Sequence, residues 1–98
     1  MIAAPEFEVK TQNTSITILF KEHNYIGPPP DGYEILIWEE DVSMTKERSS
    51  LYYNINQTNV TIDGLLSSAE YFIYIRTKGT HRYGDWVARK VSLKMIGQ

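Results

Sequence analysis

The stretch Gly64-Leu65-Leu66-Ser67-Ser68-Ala69-Glu70-Tyr71-Phe72-Ile73-Tyr74-Ile75-Arg76-Thr77-Lys78 decides how this chain folds. From Tyr71 onward its residues alternate in character, and successive side chains of a strand point to opposite faces of a sheet. Tyr71, Ile73, Ile75 and Thr77 share a face that suits a core, while Phe72, Tyr74, Arg76 and Lys78 share the other. The Gly-Leu pair and the short polar run before Tyr71 read as a corner. A tyrosine heading the strand after such a corner is placed to turn its hydroxyl back onto the preceding backbone, satisfying a polar group the corner would otherwise strand.

Working outward, the other segments repeat this strand logic. Pro5-Glu6-Phe7-Glu8-Val9-Lys10 alternates after a proline suited to the start of an edge strand, and Thr11-Gln12-Asn13-Thr14 is turn material. Ser15 to Phe20 alternates again, with Ile16, Ile18 and Phe20 inward. Lys21 to Gly32 holds Gly27-Pro28-Pro29-Pro30-Asp31-Gly32, where prolines lack ladder donors, so a loop is expected. Tyr33 to Glu40 follows as a strand with Tyr33, Ile35 and Ile37 on one face and Glu34, Leu36 and Trp38 on the other. Asp41 to Ser50 is charged and weakly patterned before the apolar Leu51-Tyr52-Tyr53; a short edge strand is expected somewhere within it. Val60 and Ile62 alternate with Asn59, Thr61 and Asp63, Gly79 to Asp85 reads as a hairpin loop, and the last strand is expected from about Trp86 to Lys94. No segment keeps a helical period and turn signals recur about every ten residues, which is the pattern of a seven-stranded antiparallel β-sandwich.

Ninety-eight residues, 42% hydrophobic and 12% aromatic, make one globular domain able to bury a core without metal or disulfide staples. A formal charge of -2 gives no basic field for a phosphate backbone or an anionic lipid surface, so neither nucleic acid nor direct membrane contact is expected. No apolar run reaches the roughly 18 residues of a membrane span. Met1-Ile2-Ala3-Ala4 is too short and lacks the basic flank of a leader, and the chain reads as a module cut from a longer one. Cysteine is absent, which excludes thiol catalysis, thiolate metal sites and disulfides. Three Asn-x-Ser/Thr acceptors, at Asn13, Asn56 and Asn59, point instead to a secreted or cell-surface chain. The plainer reading makes them ordinary turn residues.

Taken together, Pro5 before the first strand, Phe20 ending the second, Pro28-Pro29-Pro30-Asp31-Gly32-Tyr33 entering the third, and Gly64-Leu65 followed after five residues by Tyr71 resemble the fibronectin type III module over nearly the whole chain. The chain departs from that pattern where the usual tryptophan is Phe20 and where the usual proline and threonine of the corner are Ser67 and Ala69. A hydrophobe of about the right size still fills a core. The resemblance implies an immunoglobulin-like sandwich with strands A, B and E facing C, C′, F and G, and the termini at opposite ends. It implies a single domain over residues 1–98 with its core at about 5–95, and structural roles for Phe20, Tyr33, Leu65 and Tyr71. It also implies a non-catalytic bead of an ectodomain, as in adhesion proteins, receptor tyrosine phosphatases, receptor kinases and cytokine receptors, with no cofactor. Its partners would be a protein ligand or neighbouring modules.

Tyr83-Gly84-Asp85-Trp86-Val87 is similar to the aromatic motif before the last strand in cytokine receptors, whose rings stack with cations of the preceding strand. Trp86 is placed to lie over the stems of Arg76 and Lys78, although Val87 replaces the motif's final serine and this strand has one arginine. The plainer reading is a turn with an aromatic covering one sheet face. Arg82-Tyr83-Gly84-Asp85 occupies the loop where fibronectin presents Arg-Gly-Asp to integrins, but the inserted tyrosine alters the reach between cation and carboxylate, which favours Asp85 as a turn residue. Glu39-Glu40-Asp41 has no second acidic cluster to complete a calcium site and reads as a solvated strand end. His23 and His81 lack partners for zinc or a triad, and no nucleophile elbow or phosphate loop occurs, so no catalytic, cofactor or metal residue is assigned.

Leu36 and Trp38, with Phe72 and Tyr74 of the neighbouring strand, are expected to form an outward aromatic strip, left bare for a partner or covered by the stems of charged residues. The candidate partner-binding residues are Trp38, Tyr74, Arg76, Arg82, Tyr83, Asp85 and Trp86. The expected function is a spacer and protein-binding module of a cell-surface receptor or adhesion protein. One alternative is the membrane-proximal domain of a cytokine receptor binding a helical hormone; another is an accessory domain of a secreted carbohydrate-active enzyme with Trp38 as a sugar platform.

Overall fold

The computed structural model describes residues 2–22, 27–40 and 45–93, with the side chains of 45–53 excepted. Seven strands form two antiparallel sheets: β1 (Phe7–Gln12), β2 (Ser15–Phe20) and β5 (Asn59–Ile62) in the order β1-β2-β5, and β3 (Gly32–Glu40), β4 (Thr45–Asn54), β6 (Glu70–Lys78) and β7 (Val87–Ser92) in the order β4-β3-β6-β7. The strand order is that of the expected A, B, E sheet facing C′, C, F, G.

The alternation written in each strand sorts its residues between core and surface. Ile16, Ile18, Val60 and Ile62 from one sheet meet Tyr33, Ile35, Ile37, Tyr71, Ile73 and Ile75 from the other, all buried. Each isoleucine removed from water contributes roughly 1.5–3 kcal/mol, so this layer is what drives the two sheets together. Phe20 lies at its margin, stacked on Tyr33 with ring centroids 3.9 Å apart and edge-on to Phe7 at 6.2 Å. Phenylalanine thus fills the position at which the resemblance leads one to expect tryptophan.

The corner before β6 closes one end. Gly64 has φ of 72°, a left-handed conformation that glycine adopts without strain. Leu65 is buried and its N–H donates to the Thr14 carbonyl at 3.0 Å. The Tyr71 hydroxyl accepts a 2.7 Å hydrogen bond from the Leu66 N–H, as the sequence suggests, and donates one of 2.8 Å to Glu39 Oε1.

That second bond corrects the reading of Glu39-Glu40-Asp41 as a solvated strand end. Glu39 is 2% exposed because it continues the inward series Tyr33, Ile35, Ile37, and the tyrosine hydroxyl gives its carboxylate a donor inside the sandwich. Three strand limits also differ from expectation. β1 begins at Phe7 and keeps pairing through Gln12, leaving Asn13-Thr14 as the turn. β7 begins at Val87, with Trp86 outside it. β4 is ten residues long rather than short, because its backbone follows the whole of β3 past an irregularity at Ile37/Trp38. His23, Asp41 and Lys94 lie outside the described residues.

Candidate partner-binding face

The outward face of β3, β6 and β7 is set out in rows by the strand register. Phe72 stands between Trp38 and Lys90, Tyr74 between Leu36 and Ala88, and Arg76 beside Glu34. Trp38, Leu36, Phe72 and Tyr74 are all half-buried, so the expected aromatic strip exists and is partly covered. Lys90 provides some of that cover: its Nζ lies 5.8 Å from the Phe72 ring centroid and 3.3 Å from Glu70 Oε2.

At one end of the strip Arg76 organises the β6–β7 hairpin. Its Nε donates to Glu34 Oε1 at 2.6 Å, and its Cζ lies 3.6 Å from the Tyr83 ring centroid and 4.3 Å from that of Trp86. One guanidinium thus stacks with two rings that remain substantially exposed, Tyr83 at 49% and Trp86 at 38%. Each such contact stabilises by about 0.5–1 kcal/mol where solvent reaches it. The Lys78 Nζ lies 5.9 Å from the Tyr83 centroid. Covering a sheet face and stacking on a cation prove to be one arrangement here, since the rings cover the face by lying on Arg76.

The hairpin is held by its backbone. Lys78 bridges to Tyr83, the Gly79 N–H donates to Arg82 O at 2.7 Å, and the Gly84 N–H donates to Thr77 O at 2.8 Å. A Cβ at Gly79 would come within 2.7 Å of Ile2 Cδ1, and one at Gly84 within 3.1–3.2 Å of the Ile2 and Ala3 carbonyl oxygens. The N-terminal residues thus pack against the hairpin: at Gly84 the close atoms are backbone carbonyls that a side chain would have to displace, whereas at Gly79 the close atom is the tip of the Ile2 side chain, which can turn away. Arg82 and Asp85 are exposed, and among the described residues their side chains make no hydrogen bond or ion pair. They are not drawn into the stack.

Asn13 sits in the β1–β2 turn, Asn56 in the β4–β5 turn and Asn59 at the first position of β5, all exposed. Asn59 projects from the outer face of the opposite sheet, beside which Thr61 Oγ1 and Thr17 Oγ1 lie 3.1 Å apart. Two clefts open elsewhere: one of 570 Å³ between the sheet edges, lined by Phe7, Val9, Arg89 and Val91 among others, and one of 410 Å³ beside Phe20, Tyr33 and Asn56. Neither is lined by residues of the aromatic strip.

Two contributors escaped the sequence reading. Glu34 was legible as an outward neighbour of Leu36 and Trp38, but its pairing with Arg76 depends on register. Glu39 was signalled by its parity with Tyr33, Ile35 and Ile37. Burial also raises the Tyr33 hydroxyl above its usual pKa of 10.0.

The family model for the fibronectin type III domain matches residues 3–89. The chain belongs to the fibronectin type III family. Solved structures agree on the fold. A computationally redesigned β-sandwich protein is similar at a TM-score of 0.76 and 17% identity, covering 100% of this chain and 97% of its own. The third fibronectin III domain of the human KIAA0343 protein is similar at 0.76 and 17%, covering 100% and 86%. No curated protein matches the chain. Fibronectin type III domains are commonly non-catalytic modules, and this one carries the family's corner tyrosine, its two-sheet order and a cation-stacked hairpin.

Proposed function

We propose that this fibronectin type III domain is an extracellular spacer and protein-binding module of a receptor or adhesion protein, and that it binds through the outer face of β3, β6 and β7. The observation that carries the proposal is the partition of the surface. Trp38, Phe72, Tyr74, Tyr83 and Trp86 gather with Arg76 on one face and its hairpin, while Asn13, Asn56 and Asn59 all lie away from it. Aromatics with arginine are the residues that dominate binding energies, and a face without glycan acceptors leaves them open to a protein.

The Arg76 stack supports a second reading, the membrane-proximal domain of a cytokine receptor binding a helical hormone, because it reproduces the cation–aromatic contact of that motif. The two readings differ upstream, where a cytokine receptor would encode a disulfide-bearing companion sandwich.

The test is binding of a tetramerised module to a panel of animal cell lines, repeated with Trp38→Ala/Tyr74→Ala and with Lys10→Ala/Thr17→Ala on the opposite sheet. The proposal expects loss of binding in the first variant alone; equal binding by both folded variants would refute it.

A further inference from the structure

The cleft beside Asn56 is chemically suited to a sugar. Phe20, Tyr33 and Ile55 supply its apolar wall, and Lys21, Glu22, Gln57 and Thr58 its polar rim. Phe20 is incompletely buried although it stacks on Tyr33 at 3.9 Å, so aromatic surface at the core margin is left facing this space. A pyranose has an apolar C–H face and a rim of hydroxyl and amide groups, which matches a wall of rings bordered by polar side chains. The acceptor is held beside that wall. The Asn56 N–H donates to Asn54 Oδ1 at 2.9 Å and the Gln57 N–H to Asn54 O at 3.0 Å, fixing the turn, while the Thr58 carbonyl accepts from the Phe20 N–H at 2.8 Å. The third residue of the acceptor triplet is thereby tied to the strand that carries the half-buried ring.

We infer that the first N-acetylglucosamine of a glycan on Asn56 packs into this cleft against Phe20, making Asn56 a structural modification site. The inference rests on the extracellular reading above. Asn13, in a two-residue turn, and Asn59, on the outer face of β5, line neither cleft. A glycan on either projects into solvent, as surface glycans ordinarily do.

The experiment places the chain behind a leader peptide in animal cells, maps glycopeptides by mass, and follows thermal unfolding. Comparisons are the protein trimmed to a single N-acetylglucosamine, Asn56→Gln, Thr58→Ala and Asn59→Gln. The expected result is an occupied Asn56, an unchanged midpoint after trimming, and a fall of roughly 4 °C or more in both Asn56→Gln and Thr58→Ala, with Asn59→Gln unchanged. Phe20→Leu in the Asn56→Gln background should then cost fewer degrees than in the glycosylated protein, since the two changes remove one contact. An unoccupied Asn56, or a midpoint as insensitive to Asn56→Gln as to Asn59→Gln, overturns the inference. Because the leader forces secretion, such a failure leaves the receptor reading standing. That reading fails separately if the native protein resists protease applied to intact cells.

Discussion

On the outside of β1, β2 and β5 stand Glu8, Leu19 and Asn59 in one row and Lys10, Thr17 and Thr61 in the next. On the outside of β3, β6 and β7 stand Trp38, Phe72 and Lys90, then Leu36, Tyr74 and Ala88, then Glu34 and Arg76 under two exposed rings. Both faces belong to the same sandwich, and both sheets use the same alternation to fill the core. Filling the core does not require the difference: the first face finishes its sheet with a mixture of polar side chains and one leucine. Aromatic area on the second face has been placed where solvent reaches it, together with an arginine held by a carboxylate.

The comparison is sharpened first by binding. Trp38→Ala/Tyr74→Ala should weaken attachment to a responsive cell line more than about thirtyfold, the loss of a single hot spot worth about 2 kcal/mol, while Lys10→Ala/Thr17→Ala leaves it unchanged. Next in size is a test of the shared core. Tyr71→Phe removes the acceptor of the Leu66 N–H and a donor to buried Glu39, and should lower urea-derived stability by about 2 kcal/mol with the fold retained. Arg76→Ala should cost about 1–2 kcal/mol through the stack and the Glu34 bond together, and Arg76→Lys less, since an ammonium lacks the planar surface that two rings share. Near-ultraviolet circular dichroism should report the released rings in both. The smallest effect belongs to the hydroxyl face, where Thr17→Val/Thr61→Val should stay within about 0.5 kcal/mol of wild type.

Alkaline pH offers a further check on the core. The folded state raises the Tyr33 pKa, so the unfolded chain loses this proton first and stability falls as pH rises above 10.0 toward the folded value. Tyr33→Phe should flatten that decline in pH-dependent urea unfolding.

How far these features were legible follows from what alternation encodes. The core was readable in Ile16, Ile18, Ile35, Ile37, Ile73 and Ile75 because parity alone assigns them inward. The corner was readable because Gly64, Leu65 and Tyr71 each answer a local need. Glu39 escaped because its charge outweighed its parity, and the hydroxyl that makes it tolerable comes from a residue 32 positions away. The extent of β4 escaped because an edge strand needs backbone pairing more than a hydrophobic pattern, and Thr45–Asn54 supplies the first without the second. On the candidate face, Trp38, Tyr74 and Arg76 could be assigned to one side of their strands. That Arg76 meets Glu34, Tyr83 and Trp86 together required the register of β3 on β6 and the closure of the hairpin.

The most direct measurement of whether the aromatic face is the binding surface is a glycan placed upon it. Ala88→Asn/Lys90→Thr writes an acceptor triplet on the outer side of β7, beside Tyr74 and Phe72, while leaving Arg76, Tyr83 and Trp86 in place. The substitutions give up the exposed Lys90–Glu70 pair and the Lys90 contact with the Phe72 ring, each worth little to stability at a solvent-reached site. With occupancy confirmed by mass and unfolding unchanged, the protein should lose cell binding that the natural acceptors at Asn13, Asn56 and Asn59 permit. Full binding by the glycosylated variant would contradict the assignment of this face.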